Sequence, residues 1–184
     1  MKILIVYATR GGAAEHAASL LAAHFDNPDV KNLRDESPDP SGYDFIIFGS
    51  GIRFGNIYRE LSDWLDRFWE VLRRKPKAVF ICNVFEEEAE EIIKKNFSLR
   101  LRNSSVAVDS LGGEYDPTKL SRADRMLAYA MKRELLSPGF LEMKPCILTW
   151  RVDRFLQDID DYLELGSSSS VRPGSVTAIG ESAQ

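Results

Sequence analysis

Two glycine-bearing stretches hold the residue types that could do chemistry. The first is Thr9, Arg10, Gly11, Gly12, Ala13 and Ala14, which follows an apolar run at residues 3–7 and precedes an alanine-rich helical pattern. A hydroxyl, a cation and two glycines at a helix start are what a phosphate needs. Backbone N–H groups there have no partner within the helix and attract an anion. Gly11 and Gly12 allow positive φ and close approach, Thr9 can donate through its hydroxyl, and Arg10 can pair with the charge. The plainer reading is a tight turn with a satisfied N-cap. No GK[ST] follows, which disfavours a nucleoside triphosphate. The second stretch, GSGIRFGNIY at 49–58, carries three glycines, a Phe and a Tyr. Ile52 and Phe54 offer apolar contact to a flat ring, and the glycines allow backbone contact to its polar edge. The plainer reading here is a turn with core-filling aromatics.

The elements that must position these loops alternate between strand and helix patterns. Continuous apolar, β-branched runs at 2–7, 45–50 and 77–83 suit strands buried on both faces, with weaker strands at 30–33 and 104–110. Helical periodicity covers 12–25, 57–75, 86–101, 119–136 and 150–165. The acidic residues of 86–91 crowd the start of their helix, where the macrodipole favours them. Alternation of this kind predicts an α/β fold, a three-layer, doubly wound, five-stranded parallel sheet of order 2-1-3-4-5. Ligands of such sheets sit outside the carboxyl ends of the strands, where the strand order reverses. That rule brings the loops at 8–14, 50–57 and 83–86 to one crevice, with 111–117 as a neighbour. A phosphate loop beside a ring loop fits FMN, which has one phosphate and one isoalloxazine.

At these residues the chain resembles a known family. The run Ala8 to Ala14 is similar to the phosphate loop of flavodoxins. Paired with Ser50, Gly51, Ile52, Arg53, Phe54 and Gly55, it looks closer still to the flavodoxin-like, menaquinone-dependent protoporphyrinogen IX dehydrogenases, whose loops read STRxGxT and SIRYG. The resemblance covers residues 1 to about 165 and includes Trp150 at the start of the last helix. Ala8 and Ala14 stand where the family has hydroxyl residues, each removing a candidate phosphate hydrogen bond. Phe54 stands for the family's tyrosine, so it can stack but not donate.

The resemblance implies an FMN-dependent oxidoreductase that dehydrogenates protoporphyrinogen IX, an activity of heme biosynthesis, and passes electrons to a quinone. The flavin would carry the chemistry, with no catalytic side chain. Residues 51–55 would lie against the ring. Backbone N–H groups of Asn83, Val84 and Phe85 would face its pyrimidine edge, and Tyr115 would lie over or beside it. The segment at about 111–145 reads as a basic helical insertion. Arg122 and Arg125 are candidates to bind porphyrinogen carboxylates, or the segment could rest on anionic lipid at the inner face of a membrane. A solvated helix packed on the sheet is the plainer account. Two other functions stay open: a flavodoxin-class electron carrier without its own organic substrate, and a flavin-free interaction module.

Composition narrows the remaining classes. The chain has 184 residues, 44% hydrophobic and 28% charged, with a formal net charge of −4. It is long enough for one domain, taken here as 1–165, with a polar tail at 166–184 expected to be disordered. The charge argues against a nucleic-acid partner. The two cysteines, Cys82 and Cys146, form no CxxC, and His16 and His24 lack ligand-like company, so no metal site or disulfide framework is expected. No stretch approaches the ~20 apolar residues that span a bilayer, and a cytoplasmic location is the simplest expectation. Trp64 and Trp69 read as helix-packing residues, Cys82 as a core residue and His16 as a surface residue.

Overall fold

Every residue of β1 (Ile3–Ala8) is buried. A strand with no polar face needs cover on both sides, and the fold supplies it. The computed structural model describes residues 1–114 and 145–168. β1 lies between β2 (Asp29–Asn32) and β3 (Phe45–Arg53), and β3 continues the sheet to β5 (Lys77–Cys82) and then β6 (Ala107–Ser110). All four pairings are parallel. A short β4 (Asn56–Ile57) folds back antiparallel on the end of β3. With that hairpin strand set aside, the order β2-β1-β3-β5-β6 is the expected 2-1-3-4-5.

The two faces of the sheet bury different helices. Ile3, Ile5, Phe45, Ile47 and Phe80 pack with α1 (Ala13–Ala22) and α5 (Thr149–Ser168). Their neighbours Leu4, Val6, Ile46, Phe48 and Val79 point the other way, toward α2 (Arg59–Leu72), α3 (Ala89–Asn96) and α4 (Leu99–Asn103). This alternation is the two-residue period of a strand. Trp64 stacks between Phe48 and Phe68 and donates its indole N–H to the Pro38 carbonyl at 2.9 Å. Register levels the carboxyl ends: Ala8 pairs with Ser50, and Gly51 with Cys82.

Several boundaries differ from the sequence reading. The single helix expected over 86–101 is a 3-10 turn at Glu86–Glu88, then α3, then α4. Phe97 takes an extended backbone to bury its ring, and Ser98 restarts the helix by accepting from the Leu101 N–H at 3.2 Å. β3 runs on to Arg53, and α2 begins at Arg59 because Ile57 is spent on β4. The last helix continues to Ser168, three residues into the stretch read as tail. The rest of that tail, the helix expected at 119–136, and Tyr115, Arg122 and Arg125 lie outside the described residues.

Lys77 opens β5 inside the protein, 1% exposed. Its Nζ donates to the Lys75 and Ser104 carbonyls, both at 3.2 Å, and burial pushes its pKa down. Among the described residues no carboxylate balances the charge there, so Lys77→Met, of similar length, is expected to raise stability by about 1 kcal/mol at neutral pH. The lowered pKa fixes the pH dependence. Between it and the usual value near 10.5, the unfolded chain holds the proton and the folded one does not, so stability gains as pH rises. The variant's advantage should therefore shrink across that window in urea titrations. A variant less stable at pH 7 would show that the two carbonyl bonds outweigh the buried charge.

Candidate functional site

β1 ends in a turn shaped by its own hydroxyl. The buried Thr9 Oγ1 accepts from the Gly12 N–H at 3.1 Å. Gly12 has φ 93°, a left-handed conformation that a side chain would strain, and caps α1 with its carbonyl, which accepts from the His16 N–H at 2.9 Å. No side chain caps α1, which leaves the N–H groups of Ala13, Ala14 and Glu15 at its open end. The Ala13 and Ala14 methyls face the core. A Cβ added to Gly11 would meet nothing within 4 Å, so a ligand can come down on the backbone there. These groups fit a phosphate.

The loop opens on a cavity of about 410 Å³, lined also by Glu15, Asn32 and Arg34. Sequence reasoning missed these three. The loop after β2 ends at the same sheet edge, and the rule that singled out its neighbours applied to it equally. Arg34 is exposed and has no side-chain partner among the described residues. Burial first, then the nearby Glu15 and Asp35 carboxylates, raise the Tyr7 pKa. Arg10 also lines the cavity, and its guanidinium reaches toward α2. Its Nη2 lies 3.3 Å from Glu60 Oε1 and its guanidinium 5.6 Å from the centre of the Tyr58 ring. It therefore ties the loop after β1 to the start of α2 through an exposed ion pair.

The second loop is a β-hairpin. Ile52 pairs with Ile57 and Arg53 with Asn56, leaving Phe54 and Gly55 as the two-residue turn. Both are left-handed, φ 52° and 73°, as a type I′ turn requires. Glycine accepts this freely and Phe54 does not. The Arg53 guanidinium lies 5.3 Å from the Phe54 ring centre. At the hairpin base, the buried Ser50 hydroxyl donates to the Gly51 carbonyl at 2.7 Å and accepts from the Tyr58 N–H at 3.0 Å. A Cβ on Gly51 would lie 3.4 Å from the Tyr58 ring and 3.7 Å from Thr9 Oγ1, so the two loops adjoin.

The third loop follows β5. Asn83 is buried, and its Nδ2 donates to the Phe85 carbonyl at 2.5 Å; Val84 and Phe85 are half-buried. The chain after β6 presses on it: a Cβ on Gly113 would come within 2.7 Å of the Asn83 carbonyl carbon and 2.8 Å of the Val84 nitrogen. Arg151 of α5 pairs with Glu86 at 3.1 Å and with Asp109 of β6 at 2.8 Å, anchoring the loop's far side. Gly112 bridges to Ile147, and the Leu148 N–H donates to the Leu111 carbonyl at 2.9 Å. The structure thus places Thr9 to Ala14, Ser50 to Gly55 and Asn83 to Phe85 on three loops at the carboxyl ends of adjacent strands.

Other chemistry is sparse. Burial first, and Glu114 second, push the Cys82 thiol far up, which makes it a poor nucleophile. His16 Nδ1 lies 2.5 Å from Glu114 and His24 Nε2 2.9 Å from Asp160, both at the surface. Among the described residues no group of three His, Cys, Asp or Glu is arranged to hold a metal, and no helix is long and apolar enough to cross a membrane.

A glycine turn opening a helix after the first strand of a 2-1-3-4-5 parallel sheet, with a hairpin beside it, is the arrangement of a flavodoxin-type domain. Residues 4–135 match the flavodoxin domain family, and the chain belongs to it. It is similar to protoporphyrinogen IX dehydrogenase [quinone] of Escherichia coli K12, with 29% identity over 96 residues, 50% of this chain and 53% of that protein. The same figures hold for the protein of that name in Escherichia coli O157:H7. The chain spans about half the length of these curated relatives. Among solved structures it is similar to a flavoprotein in complex with FMN from Lactobacillus acidophilus NCFM (TM-score 0.49, 16% identity, 59% of this chain and 92% of that one). It is also similar to a flavodoxin from the domain Archaea (TM-score 0.44, 15% identity, 74% and 100%).

Proposed function

We propose that the chain binds FMN across the carboxyl ends of β1, β3 and β5 and acts as an oxidoreductase, with protoporphyrinogen IX as organic substrate and a quinone as electron acceptor. The observation that carries the FMN reading is the contact between two loops of complementary chemistry. Thr9 shapes a turn with open N–H groups, and the Gly51 backbone, 3.7 Å from Thr9 Oγ1 at its Cβ position, begins a hairpin that presents an aromatic tip. The N–H groups of Ala13 and Ala14 would hold the phosphate at the positive end of α1. Phe54 and Ile52 would flank the ring, and the backbone of Asn83 to Phe85 would meet its polar edge. Bound FMN would supply the redox chemistry, taking up a hydride equivalent and passing two electrons on. The substrate and acceptor rest on the similarity to the Escherichia coli protoporphyrinogen IX dehydrogenase [quinone] and on the sequence resemblance.

An absorbance spectrum of the purified protein tests the first half. A yellow protein, or a colourless one that takes up added FMN with a shifted flavin band, is the expected result. Anaerobic addition of protoporphyrinogen IX with a menaquinone analogue tests the second, read by porphyrin fluorescence. A protein that neither holds nor takes up FMN would sink the whole reading. A yellow protein that forms no porphyrin would leave an electron carrier.

A further inference from the structure

Asn96, the last residue of α3, reaches out of its helix to the β3–β4 hairpin. Its Nδ2 donates to the Gly55 carbonyl at 3.0 Å and to the Ile92 carbonyl of its own helix at 2.8 Å. Its Oδ1 accepts from the Ile57 N–H at 3.0 Å. The side chain therefore holds the hairpin on both sides of its return strand and ties it to a helix anchored in the core by Ala89 and Ile92. This set of bonds, two donated and one accepted, is what a primary amide offers. A carboxylate could only accept, and would set its charge against two carbonyls.

The hairpin needs such a hold. β4 has two residues and, among the described residues, pairs only with the end of β3. A two-stranded hairpin is marginal in water by itself. Phe54 adds a left-handed conformation that a bulky residue avoids. The local bond from Asn56 Nδ2 to the Phe54 carbonyl, at 3.0 Å, secures the turn but not its position relative to the sheet. Asn96 supplies that position.

We infer that Asn96 is a positioning residue for the ring end of the bound flavin, fixing where Phe54 and Gly55 stand without touching the cofactor. The inference rests on the FMN reading above. It predicts a division of labour: Asn96 governs affinity for the isoalloxazine, and the turn after β1 governs affinity for the phosphate.

The test uses the full chain with Asn96→Leu, which removes all three bonds, and Asn96→Asp, which keeps the shape and the acceptor. Each apoprotein is titrated with FMN, with riboflavin and with inorganic phosphate, and amide hydrogen exchange is followed at Ile57. Losing the bonds to Gly55 and Ile57 is expected to weaken FMN and riboflavin by the same factor, about tenfold. Phosphate binding should stay unchanged, and exchange at Ile57 should quicken in Asn96→Leu but not in Asn96→Asp, which keeps the acceptor for that N–H. A merely structural role would weaken phosphate as much as flavin, and that result overturns the proposal. So does unchanged riboflavin affinity, or unchanged exchange at Ile57, in Asn96→Leu. Wild-type protein that binds no flavin overturns the FMN reading and this inference with it. Wild-type protein that binds flavin no better than the variants overturns this inference alone.

Discussion

Gly49→Val is expected to cost the protein roughly 3 kcal/mol of stability, a large share of the 5–15 kcal/mol typical of a domain. Gly49 sits in the middle of β3, paired with Tyr7 on one side and Phe80 on the other. A Cβ there would come within 2.5 Å of three carbons of the Phe80 ring. That ring is fully buried among the side chains that α1 and α5 cover, so it has nowhere to swing. Overpacking on this scale forces off-rotamer side chains or bends the strand. The measurement is a urea unfolding curve, in which the midpoint falls while the slope holds. Gly49→Val combined with Phe80→Leu should recover part of the loss, because it empties the space the new methyls need. A single variant as stable as wild type would mean that the sheet yields at this point.

Thr9→Val is expected to weaken FMN about tenfold and leave riboflavin unchanged. Valine matches threonine in shape but loses the Oγ1 that accepts from the Gly12 N–H. That bond sets the turn leading into α1, and its loss leaves a part-buried donor unsatisfied, which costs ~1–3 kcal/mol; each 1.4 kcal/mol is about tenfold in affinity. Because the effect acts through the phosphate loop, a ligand without phosphate should not feel it. Arg10→Ala should do less, since Glu60 and Tyr58 already engage the guanidinium. Flavin fluorescence titrations decide the matter. Equal losses for FMN and riboflavin would show that Thr9 acts on the ring side or on the fold as a whole.

The sheet was legible because its strands are continuous apolar runs and parallel order follows from alternation with helices. The first loop was legible for a similar reason: two glycines at a strand-to-helix junction leave few conformations. What escaped was set by partners distant in sequence. Gly49 reads as one more flexible glycine in a ring loop, yet its missing side chain makes room for Phe80, thirty-one positions on. The break between α3 and α4 depends on Phe97 finding a buried site, which periodicity over 86–101 does not encode. The hairpin turn lacks the Asn-Gly signature of its type and has Phe-Gly, so the residue expected at a ring face also bears backbone strain. Asn96, at the end of an ordinary-looking helix, shows its importance only when Gly55 and Ile57 are seen beside it. Asn32 ends, and Arg34 follows, a weak edge strand whose loop was passed over.

Where Gly112 bridges to Ile147, and Leu148 reaches back to Leu111, the chain comes home to the place it left. These two contacts work as a clasp that fastens the chain just after β6 to the start of α5. The clasp lies outside the pairings of β1, β3, β5 and β6, none of which uses residues 111–113 or 147–148. It stands next to Asn83, against which Gly113 is pressed. Opening the clasp would therefore take the support from behind the loop after β5 while leaving the register of the sheet intact.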